Sequence, residues 1–301
     1  MHIPDGFLAT PVWATLDVAA LPAVACAVRR AQHGLEDARI PLLGVMGAFV
    51  FAAQMINFPV GIGTTGHLLG GALLACTLGP ASAMVVMSAI VAIQALVFQD
   101  GGILALGANV FNMAVMGVLA GYLPYRLWSG GRFRKAAIFA AGVCSVLTAA
   151  VLALAELLLS GVHMPRSVLG ISLALFLVSA LIEGAITLGV MQALQAMQPD
   201  FVRRPSGGRG LIWGAAGSAA ILLAAVGVMF ASTAPDGIAR LGQETGIAAR
   251  ATALFTTPFS GYELALAQSP SLSKAGAGLV GLAVVFTVCT VFGRLSAKRS
   301  G

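Results

Sequence analysis

Along most of the chain, apolar residues run together for about 17 to 25 positions before a short polar, glycine- or proline-bearing break. That is the length a helix rising about 1.5 Å per residue needs to cross roughly 30 Å of hydrocarbon. Nine such blocks are legible, at about 8–28, 41–58, 67–80, 83–98, 107–127, 136–160, 167–195, 211–231 and 275–293. Continuous apolar runs of this kind differ from the short alternating segments of a membrane barrel, so the pattern predicts an all-α, polytopic helical membrane protein of about nine transmembrane helices. The third block is the weak one, because Gly70, Gly71 and the Gly79–Pro80 pair bracket a segment that barely crosses. Short, glycine-interrupted membrane segments line sites, and small residues also let helices pack closely; both readings apply here. Gly117 and Gly121 form a GxxxG pair that reads as helix packing.

Composition agrees and adds an orientation. Hydrophobic residues make up 58% of the 301 and charged residues 9%, where a soluble domain carries roughly 25% charged, and this excludes a soluble fold. The net charge of +6 forms no basic, aromatic-interleaved face, so membrane lipid is an expected partner and nucleic acid is not. Lys and Arg instead fall in clusters between the blocks: Arg29, Arg30 and Arg39; Arg126, Arg132, Arg134 and Lys135; Arg203, Arg204 and Arg209; Arg294, Lys298 and Arg299. Threading the spans from an outside N-terminus puts every cluster on one face, which the positive-inside rule makes cytoplasmic. Met1 is then extracytoplasmic and the C-terminus cytoplasmic, in a multi-pass protein of the inner (plasma) membrane. A signal peptide carries its basic residues before the apolar stretch, whereas here Arg29 and Arg30 follow it. Cys26, Cys76, Cys144 and Cys289 lie in apolar stretches without CxxC spacing and read as packing residues. A polar stretch with Pro199, Pro205, Gly207 and Gly208 predicts a cytoplasmic linker at 199–210, dividing a seven-helix core at 1–198 from a two-helix unit at 211–301. The second unit holds the longest outer loop, about 232–274.

The opening residues, Met1-His2-Ile3-Pro4-Asp5-Gly6, can chelate a metal. A free Met1 amine, the His2 backbone nitrogen and a His2 ring nitrogen close two rings on one ion. Displacing an amide proton takes a metal high in the Irving–Williams series, and planar nitrogen coordination suits Ni(II) or Cu(II), with Co(II) admissible; alkaline-earth ions do not fit. A bulky second residue disfavours removal of the initiator methionine, although any formyl group must leave to free the amine. His67 falls on the same outer face, where one imidazole fills a fourth position; a histidine hydrogen-bonded at a helix start is the plainer reading of the same residue. His33, in the basic loop, and His163, beside Pro165, read as solvated.

Several stretches carry a family resemblance: Met1 to Leu8, Phe58-Pro59, Thr64-Thr65-Gly66-His67-Leu68-Leu69-Gly70-Gly71, Gln99-Asp100-Gly101-Gly102, and Leu106 to Asn109 with Asn112-Met113. Over about residues 1–195 the chain resembles the CbiM/NikM family, the substrate-binding membrane components of energy-coupling-factor nickel and cobalt transporters. The resemblance implies that the Met1 amine, the His2 amide and imidazole, and the His67 imidazole hold Ni2+ or Co2+ as transported substrate, with no cofactor of the chain's own. It also implies partner chains on the cytoplasmic side: a coupling protein of the CbiQ/NikQ type and an ATPase of the CbiO/NikO type. The C-terminal unit is similar to the small PDGLE-type, NikN-like partner fused in frame. Pro235-Asp236-Gly237 match it, while Ile238-Ala239 stand where Leu-Glu is expected. Such a fusion leans toward nickel over cobalt.

The chain contains no GxxxxGK[ST] phosphate loop, so ATP hydrolysis is expected of a partner rather than of this chain. It also contains no HExxH, which speaks against an intramembrane metalloprotease. Asp5, Asn57, Thr64, Thr65, Gln94, Asn109 and Asn112 are polar residues near the outer ends of spans, able to orient a ligating imidazole or to cap and join helices. Asp17, Glu156 and Glu183 lie within apolar spans. As a relay they would make the chain a self-sufficient, proton-coupled metal carrier; as bundle-facing residues they would only pair. Uptake and binding assays on Asp17→Asn, Glu156→Gln and Glu183→Gln separate the two, since a proton-coupled carrier loses transport while keeping its metal.

Overall fold

The computed structural model of the chain describes residues 1–34, 39–198, 209–264 and 269–296. In chain order its helices are α1 (Thr10–Gly34), α2 (Ile40–Gln54), α3 (Gly71–Leu78), α4 (Pro80–Phe98), α5 (Leu106–Trp128), α6 (Arg134–Leu159), α7 (Arg166–Met197), α8 (Arg209–Ala225), α9 (Gly237–Thr245) and α10 (Pro270–Ser296). Seven of them are long and apolar enough to cross a bilayer; α2 and α3 are the short members, and α9 lies in the loop between α8 and α10. The predicted linker falls mostly outside the described residues, as do Arg203, Arg204, Lys298 and Arg299.

Burial explains the lengths. Helix α1 presents Val18 and Leu21 to the exterior, as a lipid-facing helix does. Helix α3 is buried from Gly71 through Thr77, so its backbone is enclosed by protein and need not span the bilayer by itself. Its end is dictated locally. Pro80 has no N–H with which to continue α3 and suits the first turn of α4, and Gly79, at φ 82°, turns the chain between them. Both α4 and α5 widen into a π turn, over Gln94–Phe98 and Val110–Met116 respectively. Such turns re-aim side chains and recur at functional sites. Here they accompany three buried amides, Gln94, Asn109 and Asn112.

The C-terminal helices join the core through α2. Gly44 faces Phe286 and Thr290, Gly47 faces Val285 and Cys289, and Gly281 leaves room for Phe51 and Phe98, so α2 and α10 approach as closely as small residues permit in a membrane. Each of the three carboxylates in the apolar spans joins two elements. Asp17 accepts the Gly107 N–H at 2.7 Å, Glu156 accepts the Asn112 amide at 2.8 Å, and Glu183 accepts the N–H groups of Leu69 and Gly70 at 2.7 and 2.8 Å.

One local feature departs from the helical pattern. The stretch between the second and third apolar blocks, with Phe58, folds into a small antiparallel hairpin, β1 (Phe58–Gly61) and β2 (Thr64–Gly66), pairing Phe58 with Gly66 and Pro59 with Thr65. Thr65 pairs a second time, in parallel, with Asp236 of the loop between α8 and α10. That loop also packs on the N-terminal segment: Thr252 donates to the Asp5 carbonyl at 3.1 Å, and Gly242 lies against Phe7. Gly6, at φ 87°, sits where any Cβ would overlap the Arg250 carbonyl. Gly6→Ala is therefore expected to cost about 1–3 kcal/mol, read as a lower unfolding temperature in detergent. Gly214→Ala, with open space around it, should leave that temperature in place.

Candidate metal centre

The first residues are built into the bundle rather than left as a free end. Asn109 grips the Ile3 peptide from both sides: its Oδ1 accepts the Ile3 N–H at 2.8 Å and its Nδ2 donates to the Ile3 carbonyl at 3.0 Å. Gly102 donates to that carbonyl as well, at 2.9 Å. The Asp5 carboxylate accepts the N–H groups of Ile103, Leu104 and Ala105 at 2.9, 2.8 and 3.2 Å. The chain after α4 can approach this closely because Gly101 and Gly102 carry no Cβ; one on Gly101 would press on His2 and Asn109, and one on Gly102 would overlap Asp5. Ile3 is fully buried and His2 nearly so, which stations Met1 and His2 at a defined place.

His67 meets them there. It follows β2, and its Nδ1 donates to the Leu68 carbonyl at 2.9 Å, so Nε2 carries the lone pair. That Nε2 lies 2.6 Å from the Met1 nitrogen. Burial, and then the positive chain terminus beside it, push the His67 pKa down to about 4, leaving a neutral imidazole aimed at the amine. The His2 and His67 rings run nearly parallel, 11° apart with centroids at 5.6 Å. His2 Nε2 faces Gln94 Oε1 at 3.0 Å, while His2 Nδ1 is buried without a hydrogen-bond partner. Asp100 Oδ1 lies 3.2 Å from that Nδ1 as an ion-pair contact outside hydrogen-bond alignment.

Two carboxylates flank the nitrogens. Asp236, which caps the N-terminus of α9 through Ala239, places Oδ2 2.6 Å from the Met1 ammonium. Thr65 holds it there by donating its N–H to the Pro235 carbonyl at 2.9 Å and its hydroxyl to Ala234. Asp100 accepts the Tyr262 hydroxyl at 2.6 Å, and the Tyr262 ring stacks on Phe98 at 4.8 Å between centroids. Burial alone would raise both carboxyl pKa values, yet the neighbouring positive groups prevail. The Met1 ammonium and the Ala239 N–H hold Asp236 down, and His2, Met1 and the tyrosine hydroxyl hold Asp100 well below the usual carboxylate range. A cleft of about 240 Å3 lies over the group, lined by His2, Asp5, Asp100, Asp236, Ala239 and Thr252 among others.

The donor set suits a planar nitrogen-bound metal. A His2 ring nitrogen can chelate together with the His2 amide only through Nδ1, which closes a six-membered ring, and Nδ1 is the orphan. Metal–nitrogen bonds of about 2 Å in a square plane put cis donors about 2.8 Å apart, close to the Met1–His67 separation. Among the described residues no group of three or more His, Cys, Asp or Glu side chains is placed to hold a metal, so a cation here would have to draw on the terminal and backbone nitrogens. Of the polar residues expected around the site, Asp5, Thr65, Gln94 and Asn109 surround it. Thr64 is buried in β2, Asn112 turns to Glu156, and Asn57 meets the outer loop through its carbonyl, which accepts the Ser232 N–H at 2.9 Å. Asp100 and Tyr262 were not singled out by the sequence as site residues, and Asp236 only as part of a motif match. Asp100 stands in a quoted motif, whereas no local signal marks Tyr262.

Residues 2–201 match the family described as CbiM, cobalt uptake substrate-specific transmembrane region. The chain is similar to the fused nickel transport protein NikMN of Rhodobacter capsulatus, 29% identical over 339 aligned positions covering 95% of each chain. It is similar to the cobalt transport protein CbiM of Sorangium cellulosum, 34% identical over 214 positions, 68% of this chain and 95% of that one. A crystal structure of a transition metal transporter superposes with a TM-score of 0.58 at 30% identity, covering 69% of this chain and 99% of the other.

The His67 environment has a pH signature. Between an ordinary histidine value of 6.5 and about 4 the unfolded chain binds a proton that the folded chain does not, so stability falls as pH drops through that window and is unaffected above it. Unfolding of the metal-free protein followed from pH 7 to 4 should show this loss, and His67→Gln should flatten it.

Proposed function

The chain belongs to the CbiM family of cobalt-uptake substrate-specific transmembrane proteins and is an integral membrane component of nickel or cobalt transport, and on that footing we propose that it captures Ni2+ or Co2+ at the outer face for an energy-coupling-factor importer. The observation that carries this reading is the meeting of the Met1 amine with His67 Nε2 at 2.6 Å, beside a buried and unpartnered His2 Nδ1. The proposed ligands are the Met1 amine, the His2 amide, His2 Nδ1 and His67 Nε2. Both imidazoles present lone pairs when neutral, while the amine and the amide must each give up a proton to bind. Asp236 then accepts an N–H of the coordinated amine, and the ion remains substrate rather than a resident cofactor.

Residues 1–198 would carry the ligands, and the unit over 211–301, joined by the linker at 199–210, would cover them through the loop holding Asp236 and Tyr262. Energy would come from a CbiO/NikO-type ATPase acting through a CbiQ/NikQ-type coupling protein on the cytoplasmic face, because this chain has no phosphate loop.

Calorimetry with Ni2+ and Co2+ on the purified protein tests the ligand set. Wild type should bind about one ion per chain, and His2→Ala, His67→Ala and a one-residue N-terminal extension should each weaken binding at least about 100-fold. Release of two protons makes affinity rise by up to about 100-fold per pH unit. An extended chain that binds as tightly as wild type would sink the free-amine chelate. Uptake in cells lacking the ATPase, but with this chain present, should fall to background.

A further inference from the structure

A line of hydrogen bonds runs from the loop that carries one proposed ligand to the ring of another. Gln54, at the end of α2, donates from Nε2 to the Leu69 carbonyl at 2.7 Å. Its Oε1 accepts from Gln94 Nε2 at 2.8 Å, and Gln94 Oε1 faces His2 Nε2 at 3.0 Å. The Leu69 peptide is itself anchored, since Glu183 takes the N–H groups of Leu69 and Gly70 with its two oxygens. Leu69 stands two residues after His67, and the intervening Leu68 carbonyl accepts from His67 Nδ1. Both glutamines are buried, Gln94 completely, so neither amide can turn to water for a partner.

The direction of this line is not free. A backbone carbonyl only accepts, so the Gln54 atom facing Leu69 must be the NH2 group. The Gln54 oxygen must then face Gln94, which forces the Gln94 NH2 toward Gln54 and its oxygen toward His2. An amide oxygen only accepts, so the His2 nitrogen that meets it must carry hydrogen. Turning either amide over would bring two acceptors or two donors face to face inside the bundle and leave buried polar groups unpaired.

From this chain of constraints we infer that Gln54 and Gln94 are positioning residues that keep the proton of the His2 ring on Nε2 and so hold Nδ1 as the lone-pair nitrogen. That is the tautomer a chelate shared with the His2 amide requires, because Nε2 cannot reach a metal bound to that amide. Asp100 Oδ1 lies 3.2 Å from Nδ1 outside hydrogen-bond alignment, so the only aligned partner of the ring is the Gln94 oxygen. The inference rests on the ligand reading above, and it adds a role for Gln54, a residue of α2 outside every stretch of the motif.

The test reads the tautomer directly. In metal-free protein labelled with 15N-histidine, at alkaline pH where the neutral ring predominates, the His2 signals are assigned by their absence from His2→Ala. Wild type should show the Nε2–H form. Gln94→Glu, which still offers an acceptor to His2, should keep that form. Gln94→Met and Gln54→Met should let Nδ1–H appear and should weaken Ni2+ binding by about 10- to 100-fold. A wild-type ring protonated on Nδ1 overturns the inference without recourse to any variant, and so does a Gln54→Met protein with unchanged tautomer and unchanged affinity. The two readings fail separately: nickel binding that survives His2→Ala removes the chelate, while the tautomer remains measurable in the metal-free state.

Discussion

A chain terminus is ordinarily the most mobile part of a domain, and a free amine becomes a useful donor only when its position is held. Here the holding is done by backbone pairing. Asn109 treats the Ile3 peptide as a strand neighbour would, Asp5 absorbs three successive N–H groups after Gly102, and the two glycines there allow the segments to touch. With that segment in place, His2 is buried and Met1 reaches His67. His67, Asp100 and Asp236 gather around this inserted end.

Electrostatics decides in what form the nitrogens are kept. A buried imidazole next to an ammonium loses its proton easily, which is why His67 stays neutral down to about pH 4. The ammonium in turn is balanced by Asp236, and the open side of His2 by Asp100. Two carboxylates beside an outward cleft also favour the approach of a dication. The cost of burying these charges is offset by hydrogen bonds to both carboxylates, from Ala239 to Asp236 and from Tyr262 to Asp100.

The membrane setting accounts for the scaffold. Helix α3 can be eight residues long because it is wrapped by other helices, and the loop before it can lie inside the bundle because Glu183 accepts the N–H groups of Leu69 and Gly70. Glycines in α2 and α10 bring the C-terminal helices against the core, so that the loop between α8 and α10 lies across the inserted terminus. The chain around Thr65 shows the two parts meeting in one place, paired with Pro59 on one side and with Asp236 on the other.

The helical blocks and the weakness of the third were legible in the sequence, because block length and glycine spacing are properties of consecutive residues, although seven helices rather than about nine are long and apolar enough to cross a bilayer. His67 and several of the surrounding polar residues were legible only in outline, through their occurrence in recognisable stretches. The hairpin at Phe58–Gly66 was not, since an apolar, glycine-rich turn looks the same whether or not it pairs. Nor were the partnerships of Asp236 with Met1, separated by 235 positions, or of Gln54 with Gln94, separated by 40. Local sequence determined that this is a helical membrane chain whose opening Met1-His2 supplies nitrogen donors spaced for a chelate. Which carboxylates balance it, and which way the buried amides point, was decided only by tertiary packing, because those contacts join residues that no sequence period connects.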